Sequence, residues 1–123
     1  MASSIKHILK NKSNYKVTGS LWIECEHERF FGPGRVELLE LIADTGSISK
    51  AAQQMGMSYK KAWEMINMLN LQAKRPVVVI QSGGVKGGGT TLTEEAWELI
   101  NYHRLLRKRF TAFLEKETKQ LKK

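Results

Sequence analysis

The sequence has one cysteine, Cys25, and no apolar run approaching the ~20 residues of a membrane span. The lone cysteine excludes an intrachain disulfide framework and fits a reducing compartment. The first sixteen residues, MASSIKHILKNKSNYK, contain no long apolar segment and no small-residue cleavage site, so no signal peptide is expected. Acid is scarce beside base. There are 20 Lys and Arg against 12 Asp and Glu, a formal charge of +8. What is present in quantity is apolar: 41% of 123 residues, recurring with helical or strand period. That excludes general disorder. The length suits one domain burying roughly two-thirds of its unfolded surface, which excludes a large multidomain enzyme.

The charge excess is uneven. Residues 1–20 carry +4, 21–57 carry −3, 58–76 carry +3, 77–100 carry −2 and 101–123 carry +6. A basic chain of this kind points to a polyanionic partner, with nucleic acid the first candidate beside a merely solvated basic surface.

Punctuation along the chain divides it further. Residues 1–19 form a polar, basic segment in which Ile5, Ile8 and Leu9 could share one side of a short helix. SLWIECE at 20–26 alternates and predicts a strand. Gly32-Pro33-Gly34 breaks the chain, and Arg35 to Asp44 predicts a helix ended by Thr45-Gly46. Ser47 then caps a helix through Met55, and Ser58 caps another to about Gln72. Val77 to Gln81 and Thr90 to Leu92 predict the strands of a hairpin around the glycine-rich 82–89, SGGVKGGG. Thr93, followed by Glu94 and Glu95 at the helix dipole, caps a last helix to about Leu121, roughly 28 residues and 42 Å. The domains expected are a basic segment at 1–19, a nucleic-acid-binding unit at 20–92 and a long helix at 93–123.

Small Ala51 and Ala52, then Gly56 four residues after Ala52, allow two helices to approach and turn sharply. That spacing is a helix-turn-helix, whose second helix presents its N-terminal residues to base edges in the major groove. The same spacing also fits an αα-hairpin with no nucleic-acid role. A hairpin with a basic tip directly after the second helix fits a wing, in which Lys86 between glycines reaches phosphate. The DNA-facing residues expected are Ser47, Ser49, Ser58, Tyr59, Lys60, Lys61, Glu64, Lys86, Gly87 and Gly88. Tyr59 is expected to offer its hydroxyl to a phosphate. Trp63 is expected in the core rather than against bases, since a duplex exposes little base face. On the last helix Leu99, Leu106, Phe110, Phe113 and Leu114 recur near heptad spacing. A small winged domain buries only the first turns of so long a helix, so these residues are expected to form a homodimer; a solvated tail after Phe113 is the alternative.

GSISKAA at 46–52, GMSYKKAWEMINMLN at 56–70, GGVKGGG at 83–89 and LT at 92–93 together resemble the N-terminal DNA-binding domain of the ModE-type molybdate-responsive transcriptional regulators. The GSxSxAA stretch is shared with the LysR-type regulators, whereas SYKxAWxxIN followed by the glycine-lysine wing is the ModE pattern. The resemblance covers about residues 20–120. It implies a mainly α fold with a small β wing: a winged helix-turn-helix with a long C-terminal dimerisation helix. It implies a dimer on promoter DNA of molybdenum-uptake or molybdoenzyme genes, in a cytoplasmic setting. Family roles would fall on Ser58, Tyr59, Lys60, Lys61, Trp63 and Lys86. Full-length members add an oxyanion-binding module with no counterpart in this sequence. With Met1 at its start and the polar ETKQLKK at its end, the chain is read as a complete single-domain member, a truncated longer chain being the alternative, and any molybdenum signal would come from a separate sensing partner or through expression level.

Two rivals stay open: a DNA-binding subunit or non-specific architectural protein, and a small phosphate- or nucleotide-binding enzyme using the glycine loop. The loop lacks Walker A order and lies between strands, and no paired acid–base set accompanies it. Cys25-Glu26-His27 lacks a second ligand pair for a metal and a third group for nucleophilic catalysis. Glu24, Glu26 and Glu28 are expected to share a strand face as solvated or paired carboxylates. No cofactor, metal or membrane partner is expected.

Overall fold

A computed structural model describes residues 4–81 and 89–122. Among them the elements run β1 (Ile23–Cys25), β2 (Glu28–Phe31), α1 (Pro33–Thr45), α2 (Ile48–Met55), α3 (Tyr59–Gln72), β3 (Val78–Gln81), β4 (Gly89–Leu92) and α4 (Glu94–Gln120). The fold is mainly α with a small β wing, a winged helix-turn-helix continued by a long helix.

Each helix starts where local chemistry supplies a partner for its first amides. Ser47 Oγ accepts from the Lys50 N–H (3.1 Å), Ser58 Oγ from the Lys61 N–H (3.0 Å) and Thr93 Oγ1 from the Ala96 N–H (3.4 Å). α1 instead starts on Pro33, two residues before the expected Arg35, because a proline at the first helical position forfeits no hydrogen bond. Gly46 and Gly56 end α1 and α2 in the left-handed region, with φ of 69° and 70°, where a side chain would be strained.

The core lies where α1, α2 and α3 cross. Leu38, Leu39 and Ile42 of α1 meet Ala51 and Ala52 of α2 and Ala62, Ile66 and Leu69 of α3, all buried. The three alanines let the helix axes approach closely. Val77, Val78, Ala96 and Ile100 close the core from the wing and α4.

Two antiparallel hairpins flank this core. The first corrects the expected single strand at 20–26. β1 stops at Cys25, and a two-residue turn through Glu26 and His27, at φ of 53° and 70°, returns the chain as β2. Glu26 is thus on the turn and shares no face with Glu24 and Glu28, and Cys25 and His27 do not lie together on one strand. A bulge shifts the register between Ile23↔Phe31 and Glu24↔Arg29, so Phe30 packs against the core beside fully buried Phe31. The second hairpin pairs regularly from Val78↔Leu92 to Gln81↔Gly89.

The N-terminal segment forms turns rather than the helix expected for Ile5, Ile8 and Leu9, and Ile5 and Ile8 are exposed. It runs back beside the far half of α4, where the Val17 N–H donates to Thr118 Oγ1 (2.9 Å). α4 itself buries only Ala96, Ile100 and His103, within its first three turns. Arg104 joins it to Glu40 of α1 at 2.9 Å. His103 lies edge-on to Phe31, and burial with Arg107 nearby lowers its pKa from the usual imidazole value.

Candidate nucleic-acid interface

The interface is built outward from the phase of α3. Ala62, Ile66 and Leu69 face the core, so Lys60, Trp63, Glu64 and Asn67 fall on the outward side and are exposed. Ser58, Tyr59 and Lys61 are exposed at the start of the same helix, and Ser49 and Lys50 at the start of α2. Between Thr45 and Trp63 there is no acidic residue, while Lys50, Lys60 and Lys61 supply three positive charges.

Trp63 corrects an expectation. It is 42% exposed rather than a core residue, because the core side of α3 is taken by Ala62, one residue and about 100° away. Tyr59 is exposed, as expected of a phosphate-facing hydroxyl. Asn67 was not singled out from sequence; its signal is its position seven residues after Lys60, two turns along the outward side.

Asn70 was also missed, and it fixes the wing. Its Oδ1 accepts from the Val77 N–H (2.8 Å) and the Val78 N–H (3.1 Å), and its Nδ2 donates to the Val78 carbonyl (3.0 Å). One side chain of α3 thus completes the backbone bonding at the start of β3. Thr93 Oγ1 reaches the carbonyls of Pro76 (2.8 Å) and Val77 (3.0 Å), and the Thr90 N–H donates to the Gly46 carbonyl (3.0 Å). The wing base is therefore hydrogen-bonded to α3, to the start of α4 and to the α1–α2 turn. Lys86, Gly87 and Gly88 lie outside the described residues.

A helix pair with a buried alanine crossing, an exposed basic second helix and a hairpin locked beside it is the arrangement that regulatory proteins place on duplex DNA. The profile of the bacterial regulatory helix-turn-helix proteins, lysR family, matches residues 34–97, from α1 into α4. The chain belongs to that helix-turn-helix family. Within it, the ModE-type pattern is carried by the relatives. The transcriptional regulator ModE of Haemophilus influenzae is 40% identical over 86 residues, covering 70% of this chain and 34% of that protein. The DNA-binding transcriptional dual regulator ModE of Escherichia coli K12 is 40% identical over 86 residues, 70% of this chain and 33% of that protein. The molybdenum-pterin-binding protein MopB of Rhodobacter capsulatus is 46% identical over 69 residues, 56% of this chain and 26% of that protein. The chain spans about a third of the length of the curated ModE relatives it matches.

The residues expected to pack a dimer share one side of α4, within an arc of about 100°, but differ in what covers them. Leu99 packs against the chain's own core; Leu106, Phe110 and Leu114 are half-buried, and Phe113 is exposed with its ring stacked on Phe110 at 6.4 Å. Trp97, Tyr102 and Leu105 are exposed as well and were not named from the sequence. Among the described residues no group of three His, Cys, Asp or Glu side chains could hold a metal ion, and no helix is long and apolar enough to cross a membrane.

Proposed function

We propose that the chain is a cytoplasmic, sequence-specific DNA-binding transcriptional regulator that acts as a homodimer by occupying operator DNA. No bond is made or broken. The observation that carries the reading is the exposed start of α3, with Lys60, Lys61, Glu64 and Asn67 outward, rigidly joined through Asn70 to the wing base. α3 enters the major groove with these side chains toward base edges, and Ser47, Ser49, Ser58 and Tyr59 reach phosphate. DNA-contacting roles are proposed for Lys86, Gly87 and Gly88 as well.

The name of one relative, the molybdenum transport protein ModE of Azotobacter vinelandii, favours genes of molybdenum transport as targets, and the ModE resemblance adds molybdoenzyme genes. A separate molybdate-sensing partner would supply the signal. The dimer reading is supported by the apolar residues that α4 leaves exposed beyond His103, namely Leu105 and Phe113 with half-buried Leu106, Phe110 and Leu114. A two-fold axis through α4 matches palindromic half-sites.

Selection of bound duplexes from a random pool, followed by fluorescence anisotropy, tests the reading. If a dimer contacts about six to ten phosphates, affinity falls roughly 10³–10⁵-fold between 50 and 200 mM salt. Recovery of one palindromic motif with a large specificity ratio over random DNA is expected. Tight binding with no preference makes the protein architectural, and affinity flat in salt rejects the DNA interface. Sedimentation of the chain shortened after Arg104 as a monomer is expected; a dimer there moves the interface off α4.

A further inference from the structure

An open groove of about 330 Å³ runs between α3 and the base of the wing. Tyr59 and Trp63 line it from α3, Ile80 from β3, and Ser47 and Ser49 from the start of α2. Three of these are large and exposed: Tyr59 at 54%, Ile80 at 53% and Trp63 at 42%. The groove therefore joins apolar walls to the hydroxyls of Ser47, Ser49, Tyr59 and Thr90; its lining carries no charge, and Lys50, Lys60 and Lys61 are the charges of the stretch from Thr45 to Trp63 beside it. Its occupant is expected to be anionic yet to offer apolar faces. A DNA strand has both, in its phosphates and in the carbon edges of its deoxyriboses.

Position selects the strand over the bases. The outward line of α3 is Lys60, Glu64 and Asn67, whereas Trp63 is turned from that line toward the wing. With α3 in the major groove and the wing at the adjacent minor groove, the strand that separates the two grooves must pass between them. That is where the groove lies. We propose that this groove seats one sugar-phosphate strand of duplex DNA. Trp63 and Ile80 pack against deoxyribose faces, and the Ser47 and Ser49 hydroxyls donate to the phosphate between them. Trp63 is thus a positioning residue that sets how deeply α3 enters the major groove, and it reads no base. The inference rests on the DNA-binding reading above.

The wild-type chain is first measured on a selected duplex and on a scrambled one. Absence of binding there rejects the DNA-binding reading itself. Where wild type binds, Trp63→Ala, Trp63→Phe and Ile80→Thr are compared on both duplexes, with circular dichroism to show that each is folded. Trp63→Ala is expected to lose roughly tenfold on both duplexes, leaving their ratio and the salt slope unchanged, while Trp63→Phe recovers most of the loss. Single ribonucleotides are then placed along each strand. One or two positions are expected at which the added 2′-hydroxyl weakens wild type about tenfold but Trp63→Ala less than about twofold, since the wall it would meet is gone. If the loss in Trp63→Ala is confined to the selected duplex, and uracil in place of one thymine reproduces it, Trp63 reads a thymine methyl and the proposal falls. It falls equally if no ribose position depends on Trp63 or, should Trp63→Ala not fold, if Ile80→Thr and Trp63→Phe leave affinity and the ribose profile as in wild type.

Discussion

The two hairpins have strands of similar length, three or four residues each, and both reach the core, but they differ in charge and in how they are fastened. β1–β2 carries three glutamates and one arginine from Ile23 to Phe31, while the span from Val78 to Leu92 has one lysine and no acid. β1–β2 is held by apolar burial, with Phe31 fully inside and Phe30 beside it. β3–β4 is held at its base by directed hydrogen bonds from Asn70, Thr93 and Gly46. Burial fixes where a hairpin sits and tolerates small rotations. Hydrogen bonds fix which way it points. The hairpin proposed to meet DNA is the one whose direction is fixed, and the acidic one packs against the core through its phenylalanines.

The largest effect that could break this contrast comes from the first hairpin. Phe31→Ala removes a fully buried ring and is expected to cost about 3–5 kcal/mol in urea denaturation. In the variant that remains folded, DNA affinity should be unchanged; a parallel loss of affinity would mean that both hairpins serve the interface. Next comes Asn70→Ala. It strands the Val77 and Val78 N–H groups, Val77 being fully buried, and is expected to cost about 2 kcal/mol. Here affinity should fall even under conditions where the variant is fully folded, because the wing no longer has a set direction. A variant with normal affinity would show that packing alone orients the wing.

Replacing Glu26-His27 by Asn-Gly sharpens the contrast at smaller scale. Both residues hold positive φ, which Asn and Gly adopt with little strain, so stability is expected to rise by about 0.5–1 kcal/mol with no change in DNA binding. A drop in melting temperature would imply that the side chains of the turn make a stabilising contact. The contact of the first hairpin with α4 can be titrated. With its pKa lowered, His103 binds a proton more readily in the unfolded chain than in the folded one, so its contribution is present above the ordinary imidazole pKa and is lost as pH falls below it. Stability is expected to decline between pH 7 and 5, less steeply in His103→Phe; equal slopes would assign the decline to other groups. The smallest effect is on charge. Lys86→Ala should reduce the salt slope of DNA binding by about one, as expected of a phosphate contact, whereas Glu24→Gln with Glu28→Gln should leave it unaltered. A changed slope in the double variant would bring the acidic hairpin near the duplex.

What the sequence made legible was whatever local chemistry decides. Ser47, Ser58 and Thr93 cap helices through bonds three residues long, so α2, α3 and α4 start where expected. β2 was hidden because Glu26-His27 carries none of the glycine or asparagine that announces a tight turn. Trp63 was misjudged by residue type, although the spacing of Ala62, Ile66 and Leu69 already held the phase that turns it outward. Asn70 could not be read at all: a polar residue late in a helix looks solvated until the chain returns and presents Val77 and Val78 to it.

α4 is one uninterrupted helix of 27 residues, about 40 Å long, yet it is fastened to the core along only its first three turns. Its amide protons should therefore form a graded clock. Those near Ala96 to His103 exchange with solvent water only when the whole domain opens, and those beyond exchange through local fraying, slowed where Val17 bonds Thr118. If two copies associate along that outer length, the slow end of the clock extends outward as the protein is concentrated and retreats on dilution. The exchange profile of a single helix would then record, residue by residue, how much of the population is paired.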